Sequence, residues 1–372
     1  MQGIKGGPGD FTITLARQPR YIDLAKCTGC GECANVCPVS MKDEFNQGLA
    51  DRKAVYRLYP QAIPAAFAIK KLDRPPCNLT CPAEINVQGY VQLIKLGKYP
   101  EAVQLIMERL PLPGVLGRIC PHPCEEQCRR HELDKPIAIC SLKRFAADQV
   151  DLASFSPPLV EARPEKIAII GSGPAGLACA YHLALRGYRP TIFEALDKPG
   201  GMLRVGIPDY RLPKHVLDRE IANILRLGVE LKTNTAMGRD FSLDDLSSQG
   251  YQAVFLGLGC HRGKPLRIPG EDADGVIQGV EFLRRQNLGE PLHVGKRLVI
   301  IGGGNVAIDV ACTARRLGSQ VTVVYRRSRE EMPAFAHEIE QASCEGVEII
   351  YLAAPLKVLT GPDGKVTGLL CQ

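Results

Sequence analysis

The chain of 372 residues has no tryptophan, and aromatic residues make up only 6% of it. This scarcity argues against a platform for single-stranded nucleic acid, on which bases stack against exposed rings. No basic segment followed by an apolar run opens the sequence, so no signal peptide is predicted. The one long uncharged stretch, residues 167–185, is broken by Gly171-Ser172-Gly173-Pro174. We therefore expect a phosphate-binding turn there instead of a membrane span, and a cytoplasmic protein.

Cysteine, in contrast, is abundant: the chain has 15, ten of them within its first 140 residues. In a protein that is not exported, closely spaced cysteines are typical of metal ligands or redox groups and not of disulfides. The run Cys27-x2-Cys30-x2-Cys33-x3-Cys37 has the spacing of bacterial ferredoxins and predicts a [4Fe–4S] cluster. Zinc sites favour two C-x2-C pairs with a longer gap between them. In two-cluster ferredoxins the fourth cysteine of such a run binds the other cluster, so Cys37 has two interpretations.

An internal repeat dominates the second part of the chain. Residues 166–194 and 297–325 align without a gap, and both read strand, glycine-rich turn, helix and strand. The first turn consists of Gly171, Ser172, Gly173, Pro174, Ala175 and Gly176. Gly173 lets the backbone approach a pyrophosphate at the helix N-terminus, and Glu194, 21 residues later, can accept hydrogen bonds from ribose hydroxyls. The first unit therefore predicts a bound dinucleotide.

The second unit of the repeat ends differently. Its turn consists of Gly302, Gly303, Gly304, Asn305, Val306 and Ala307. Tyr325 stands where the first unit has its acid, and Arg326, Arg327 and Arg329 follow it. Loss of the acid and gain of guanidinium groups fit a 2′-phosphate, which favours NADPH over NADH; a solvated basic loop is the other interpretation.

Two such units in tandem, one ending acidic and one basic, resemble the two-dinucleotide-binding flavoproteins. The sequences of residues 200–208, 210–213 and 324–327 narrow this resemblance to the NADPH-dependent small subunit of glutamate synthase and the flavin half of dihydropyrimidine dehydrogenase. The similarity covers about residues 76–372. It implies FAD in the first fold and NAD(P)H in the second.

The same resemblance implies that Gly201, Leu203 and Arg211 lie along the FAD. The thioredoxin reductase and glutathione reductase branches carry a disulfide of paired cysteines beside the flavin. Here the five cysteines after residue 140 are far apart, so no redox-active dithiol is predicted. No pairing of a nucleophile with a base stands out either, and we assign no catalytic side chain.

The remaining cysteines form Cys77-x3-Cys81 and Cys120-x3-Cys124-x3-Cys128, a pattern that resembles the helical iron–sulfur domain of glutamate synthase small subunits. That family usually has a further C-x2-C just before the first pair, which this chain lacks, while an unexpected cysteine stands at position 140. We expect a second cluster on Cys81, Cys120, Cys124 and Cys140. Cys77 and Cys128 are left as ligands of a third or rearranged cluster, or as buried thiols.

The sequence thus predicts an α/β fold in which tandem Rossmann-like FAD and NAD(P) domains follow an α-helical iron–sulfur domain and a small ferredoxin-like segment. The expected boundaries are 1–73 for the ferredoxin-like segment, 74–160 for the helical domain and linker, 161–290 for the FAD domain and 291–372 for the NAD(P)H domain. Residues 19–64 resemble the cluster segment of heterodisulfide reductase. No late Gly-Asp element follows the second turn, so the return segment that completes such an FAD domain is expected to be absent.

These parts predict an NAD(P)H:acceptor oxidoreductase subunit in which electrons pass from NADPH through FAD to two or more [4Fe–4S] clusters. The acceptor is expected to be a redox partner subunit or a ferredoxin-type carrier, within a hetero-oligomeric complex. The net charge of +6 is offset by roughly −2 for each cluster and roughly −2 for FAD, so neither nucleic acid nor a membrane is expected as a partner. The alternatives are a non-catalytic iron–sulfur electron-transfer subunit, a glutamate synthase small subunit and a zinc-stabilised scaffold.

Overall fold

The structure, a computed structural model, describes residues 3–14, 19–71, 74–155 and 160–372. The chain forms two compact units: Met1–Val91 with Pro121–Ile139, and Gln92–Cys120 with Cys140–Gln372. The helical region expected at 74–160 therefore contributes to both units. Among the described residues, no helix is long and apolar enough to cross a bilayer.

Short antiparallel hairpins make up the amino-terminal segment. Its elements are β1 (Gly3–Gly7), β2 (Asp10–Thr14), α1 (Glu32–Asn35), β3 (Ser40–Lys42), β4 (Asp51–Lys53), β5 (Val55–Tyr56) and β6 (Ala68–Ile69). The strands pair as β1–β2, β3–β4 and β5–β6. Ala54, Ala66 and Phe67 are its buried apolar residues among those described. So small a core fits a segment that gains stability from a bound metal centre.

A run of short helices follows. They are α2 (Pro76–Leu79), α3 (Val87–Lys95), α4 (Tyr99–Met107), α5 (Pro113–Ile119), α6 (Pro123–Glu126) and α7 (Ile139–Asp148), with 3₁₀ turns at Arg129–Glu132 and Leu152–Ser154. Proline occupies the first turn of α2, α4, α5 and α6, where its missing N–H removes no intrahelical hydrogen bond.

The first nucleotide-binding fold has a parallel four-stranded sheet. Its elements are β7 (Lys166–Ile170), α8 (Pro174–Ala184), β8 (Thr191–Phe193), α9 (Met202–Val205), α10 (Lys214–Leu225), β9 (Glu230–Lys232), α11 (Leu243–Ser248) and β10 (Tyr251–Leu256). The strand order is β10-β7-β8-β9, and every pairing is parallel. The predicted strand–turn–helix unit is thus β7, the turn from residue 171 to 173, and α8.

The second nucleotide-binding fold repeats this arrangement. Its elements are α12 (Gly279–Leu288), β11 (Arg297–Ile301), α13 (Asn305–Arg316), β12 (Gln320–Val324), α14 (Ala336–Cys344) and β13 (Glu348–Ile350), followed by the hairpin β14 (Pro355–Thr360) and β15 (Val366–Cys371). Its strands are parallel in the order β11-β12-β13. Both expected nucleotide-binding folds are therefore present.

The core of the first fold extends into the preceding helices. Val115 of α5 and Ala146 of α7 belong to the same buried apolar cluster as Leu177 of α8 and Leu217 and Ile221 of α10. A fully buried valine, leucine or isoleucine side chain contributes about 1.5–3 kcal/mol. Helices α5 and α7 are consequently built into the fold that carries the first glycine turn.

Candidate cofactor sites

The glycines of the first turn divide into two kinds. A Cβ atom on Gly171 would lie 2.5 Å from the carbonyl oxygen of Gly257, and one on Gly176 would overlap the carbonyl oxygen of Gly171. A Cβ on Gly173, however, would meet no atom within 4 Å. Packing requires the outer two glycines, whereas Gly173 leaves open space in front of the N-terminus of α8. This is the position where a pyrophosphate approaches the backbone, so the turn fits FAD.

Glu194, at the end of β8, is buried and holds the turn in place. Its Oε2 accepts the backbone N–H of Ser172 at 2.9 Å and the Ser172 hydroxyl at 2.5 Å, and its Oε1 accepts the N–H of Leu196 at 2.9 Å. The Ser172 hydroxyl in turn accepts the N–H of Gly200 at 3.0 Å. Since a carboxylate has about four acceptor sites, these three hydrogen bonds leave Glu194 with one further acceptor site.

The three residues that were expected along the FAD have different surroundings in the structure. Gly201 lies against the turn: with φ 51°, its Cβ would be 2.8 Å from the Cα of Gly173. Leu203 is buried in the core of the same fold. Arg211 forms ion pairs with two carboxylates of the second fold, Asp309 at 2.7 Å and Glu338 at 2.6 Å. Nothing in the sequence pattern indicated these partners.

The second turn has the same division of roles. A Cβ on Gly304 would meet nothing within 4 Å, whereas one on Gly303 would lie 2.6 Å from the ring of Tyr325. The Tyr325 hydroxyl donates to the carbonyl of Glu331 at 2.8 Å. Gly304 therefore leaves the space that a second pyrophosphate needs, while Gly303 makes room for the residue that replaces the acid.

The other members of the second turn are structural or exposed. Asn305 accepts the N–H of Phe335 through its Oδ1 at 3.1 Å, Val306 is exposed and Ala307 is buried. The three arginines after Tyr325, namely Arg326, Arg327 and Arg329, are all exposed. Arg327 and Arg329 make only long ion pairs, 3.9 Å to Glu331 and 3.6 Å to Glu340. Their guanidinium groups are accessible to a phosphate.

The ferredoxin-like loop has the glycines that its tight path needs. Gly29 has φ 76° and a Cβ there would be 2.7 Å from the carbonyl oxygen of Ala65, while Gly31, with φ 90°, precedes α1. Cys30 and Cys33 are exposed, and Cys27 and Cys37 are half-buried. The N–H of Glu32 and the hydroxyl of Thr28 lower the pKa of the Cys30 thiol, which favours the thiolate that binds iron.

Within the first unit, the thiols of Cys77 and Cys128 lie near each other. Cys77 lies in α2 and the buried Cys124 in α6, and these two helices pack together. Burial, followed by the neighbouring thiols of Cys128 and Cys81, raises the pKa of the Cys77 thiol. The two cysteines that the sequence left without a cluster are therefore neighbours, with Cys81 close by.

Cys120 and Cys140 belong to the second unit. Cys120 ends α5, and the Cys140 thiol, in the first turn of α7, donates to the carbonyls of Leu116 at 3.5 Å and Gly117 at 3.4 Å. The expected ligand set of Cys81, Cys120, Cys124 and Cys140 is thus divided between the units, and its pairing stays a prediction. Among the residues that the structure describes, no three His, Cys, Asp or Glu side chains form a ready-made metal site.

Three family models match the chain. They are pyridine nucleotide-disulphide oxidoreductase over residues 165–363, dihydropyrimidine dehydrogenase domain II with its 4Fe-4S cluster over 59–154, and a 4Fe-4S binding domain over 20–41. The chain belongs to the pyridine nucleotide-disulphide oxidoreductase family. The matches confirm the predicted fold class and the predicted cofactors: FAD, NAD(P)H and [4Fe–4S] clusters.

Curated relatives agree with this family. The chain is 45% identical over 305 residues to the NADPH-Fe(3+) oxidoreductase subunit beta of Geobacter sulfurreducens, covering 80% of this chain and 45% of that protein. It is 44% identical over 338 residues to the NADP(+)-dependent formate dehydrogenase subunit beta of Moorella thermoacetica, covering 83% and 48%. It is 37% identical over 311 residues to the glutamate synthase [NADPH] small chain of Escherichia coli, covering 79% and 66%.

The predicted resemblance to glutamate synthase small subunits is confirmed by these matches. The chain spans about half the length of the first two relatives. Both of these carry the word subunit in their names, which agrees with the expected membership of a larger complex.

Proposed function

We propose that this chain takes electrons from NADPH, passes them through FAD to [4Fe–4S] clusters and delivers them to a partner subunit. The observation that carries the proposal is the pair of open turns at Gly173 and Gly304, in one compact unit with Cys120 and Cys140. Two predicted dinucleotide sites and two predicted cluster ligands in one unit are parts that such a transfer needs.

The first fold has the residues to bind and orient a flavin nucleotide. Gly173 leaves open space at the N-terminus of α8, Gly201 packs against it, and Glu194 fixes the turn through three donors while retaining one acceptor position. The chemistry that bound FAD supplies is acceptance of a hydride and release of its two electrons one at a time, the form in which a cluster accepts them.

The second fold has the residues to select the nicotinamide nucleotide. Tyr325 replaces the acid of the first fold, which would repel a 2′-phosphate. The exposed Arg326 and Arg327 offer two guanidinium groups for the phosphate oxygens. We therefore propose NADPH as the electron donor. The names of the relatives, which include NADPH and NADP(+), support this choice.

The partner is proposed to be another subunit of the same complex. Two of the relatives are named as subunits, which supports a chain that supplies electrons while a second protein uses them. The names of the relatives indicate different reactions for the complexes to which they belong.

The test compares Gly173→Ala and Gly304→Ala with a matched control. Both glycines have φ values open to alanine, −67° and −88°, and a methyl group at either meets no protein atom. Both variants are therefore expected to fold, with the methyl group filling the pyrophosphate space. Gly295→Ala is the control, because its Cβ has room and it lies in an exposed loop.

The protein is purified without oxygen, its FAD content is measured, and NADPH is added while the visible flavin absorption is followed. We expect wild type and Gly295→Ala to hold FAD and lose this absorption. Gly173→Ala should hold at least tenfold less FAD, and Gly304→Ala should hold FAD but need about tenfold more NADPH. Wild-type protein that contains FAD but keeps its absorption with NADPH contradicts the proposal.

A further inference from the structure

A carboxylate with no assigned role lies inside the second unit. Glu220, on α10, is 0% exposed, and its side chain reaches a different helix. Its Oε1 accepts the backbone N–H of Gly114 at 2.5 Å, and its Oε2 accepts that of Val115 at 3.0 Å. These two amides belong to the first turn of α5, which begins with a proline that has no N–H. Glu220 therefore satisfies the free donors of this helix end from 105 residues away.

The sequence of α5 is adapted to this contact. A Cβ on Gly114 would lie 2.8 Å from Oε1 of Glu220, so only glycine allows the carboxylate to approach the amides this closely. Leu112, which precedes the helix, makes no side-chain cap. The N-terminal turn of α5 is thus capped by Glu220. Helices are more commonly capped by the residue that precedes them in the sequence.

The other end of α5 carries the predicted iron ligands. Cys120 follows its last turn, and the carbonyls of that turn accept the thiol of Cys140. Gly117 contacts the backbone of α7, since a Cβ there would be 2.7 Å from the Cα of Arg144. A shift of α5 would consequently displace both cysteines.

Glu220 also belongs to the fold of the first glycine turn. Its neighbours Leu217 and Ile221 on α10 pack in one core with Leu177 of α8, the helix that begins at the open turn of Gly173. Contacts therefore continue from the nucleotide turn through α8 and α10 to Glu220, and from there along α5 to Cys120.

The carboxylate at this place is buried and strongly perturbed. Burial, despite the two N–H donors and the charges of Arg219 and Arg118, raises the pKa of Glu220 to about 7. Burial of the acid costs free energy, while its two hydrogen bonds spare α5 two unpaired buried N–H groups. The carboxylate therefore ties the position of α5 to that of α10.

We propose that Glu220 is a positioning residue for electron transfer, which holds the helix bearing Cys120 against the flavin-binding fold and so fixes the cluster relative to the flavin. The inference rests on the proposed function, because it assumes that Cys120 and Cys140 bind a cluster. Its role is exerted through α5; Glu220 contacts neither iron nor flavin.

The test uses Glu220→Gln and Gly114→Ala in the full-length chain with its cofactors. Glutamine keeps the size of the side chain but turns an amide donor towards one of the two N–H groups. Alanine at 114 pushes the carboxylate away although it favours helix formation, and glutamine and glutamate have nearly equal helix propensities, so a loss of helix propensity does not explain an effect that both variants share. Asp245→Asn is the matched control, since the exposed Asp245 caps a different helix of the same fold, α11, by hydrogen bonds with Ser242.

Three readouts are combined. Hydrogen exchange of the Gly114 and Val115 amides reports the contact itself. The electron paramagnetic resonance spectrum after chemical reduction reports the geometry of the cluster, and rapid mixing with NADPH separates flavin reduction from cluster reduction. In both variants we expect faster exchange of these amides and an altered resonance spectrum. Cluster reduction should be about tenfold slower or more, while the rate of flavin reduction stays within about twofold of wild type. Asp245→Asn should match wild type.

Wild-type exchange rates in Glu220→Gln, or faster exchange with an unaltered spectrum and unaltered cluster reduction, would overturn the inference. Failure of the proposed function looks different: wild type itself would show no cluster reduction by NADPH. In that case the spectra after chemical reduction still decide whether Glu220 positions the cluster. If Glu220→Gln does not fold, Gly114→Ala decides on the same readouts.

Discussion

Replacing Arg211 by methionine should destabilise the protein in a way that depends on pH. Its guanidinium is the cationic partner of two carboxylates from the second fold, Asp309 and Glu338, both buried. Burial raises the pKa of Asp309 to about 6 from its usual 3.8, even with Arg211 present, and burial likewise raises the pKa of Glu338. Without the arginine, Asp309 keeps the negative charge of Glu338 nearby and the Tyr210 hydroxyl at 3.4 Å.

The direction in which stability changes with pH follows from proton binding. Because the pKa of Asp309 is higher in the folded protein, the folded state holds more protons between pH 4 and 6, and stability falls as pH rises through this window. At about 1.4 kcal/mol for each pH unit, wild type loses roughly 3 kcal/mol there. Removing Arg211 raises this pKa further, and an uncompensated buried charge costs about 3–5 kcal/mol at pH 8.

Thermal unfolding at pH 5 and pH 8 measures the effect. For Arg211→Met we expect a melting temperature roughly 5–10 °C below wild type at pH 8 and a much smaller difference at pH 5, where Asp309 is protonated. The triple variant R211M/D309N/E338Q should lose this dependence on pH. Arg239→Met, which breaks the exposed pair with Asp240, is the control and should behave like wild type. Equal losses at both pH values would refute the electrostatic reasoning.

Three further predictions follow from the candidate sites. Gly303→Ala places a methyl group 2.6 Å from an aromatic ring and should lower the free energy of unfolding by about 1–3 kcal/mol, measured by thermal unfolding; no loss would contradict the packing role. The double variant of Arg326 and Arg327 to alanine should raise the Kd for NADPH about tenfold and leave that for NADH nearly unchanged, as binding titrations would reveal; equal losses would contradict recognition of the 2′-phosphate. Because Cys77 neighbours Cys128, serine at either position should lower iron content by the same amount as serine at both, and additive losses by iron analysis would contradict a shared site.

The parts of the site that could be predicted are those formed by short stretches of consecutive residues. The glycine turns at residues 171 and 302 lie between a strand and a helix, and their spacing, together with the acid or arginines that follow the next strand, indicates a nucleotide site. The same holds for the ferredoxin-like loop, whose glycines at 29 and 31 have the positive φ values that a tight loop requires. These features depend on a few consecutive residues, so a pattern in the sequence is sufficient to find them.

The contacts between distant segments were beyond such patterns. Arg211 and Asp309 are 98 residues apart, and Glu220 and Gly114 are 106 apart. In the sequence Arg211 is one of many arginines, and Glu220 is one acid of an amphipathic helix; only the packing of α10 on α5 gives the acid its partners. The proximity of Cys77 and Cys128 likewise results from the packing of α2 against α6.

The central claim is that electrons from NADPH reach the clusters through the flavin. The most direct measurement is paramagnetic resonance of the anaerobic protein after addition of NADPH, in wild type and in Gly173→Ala, with a chemical reductant as reference. The account predicts a reduced-cluster signal in wild type and none in the flavin-depleted variant, although the chemical reductant produces the signal in both. Clusters that NADPH reduces equally well without FAD, or that stay oxidised in wild type while its flavin is reduced, would contradict it.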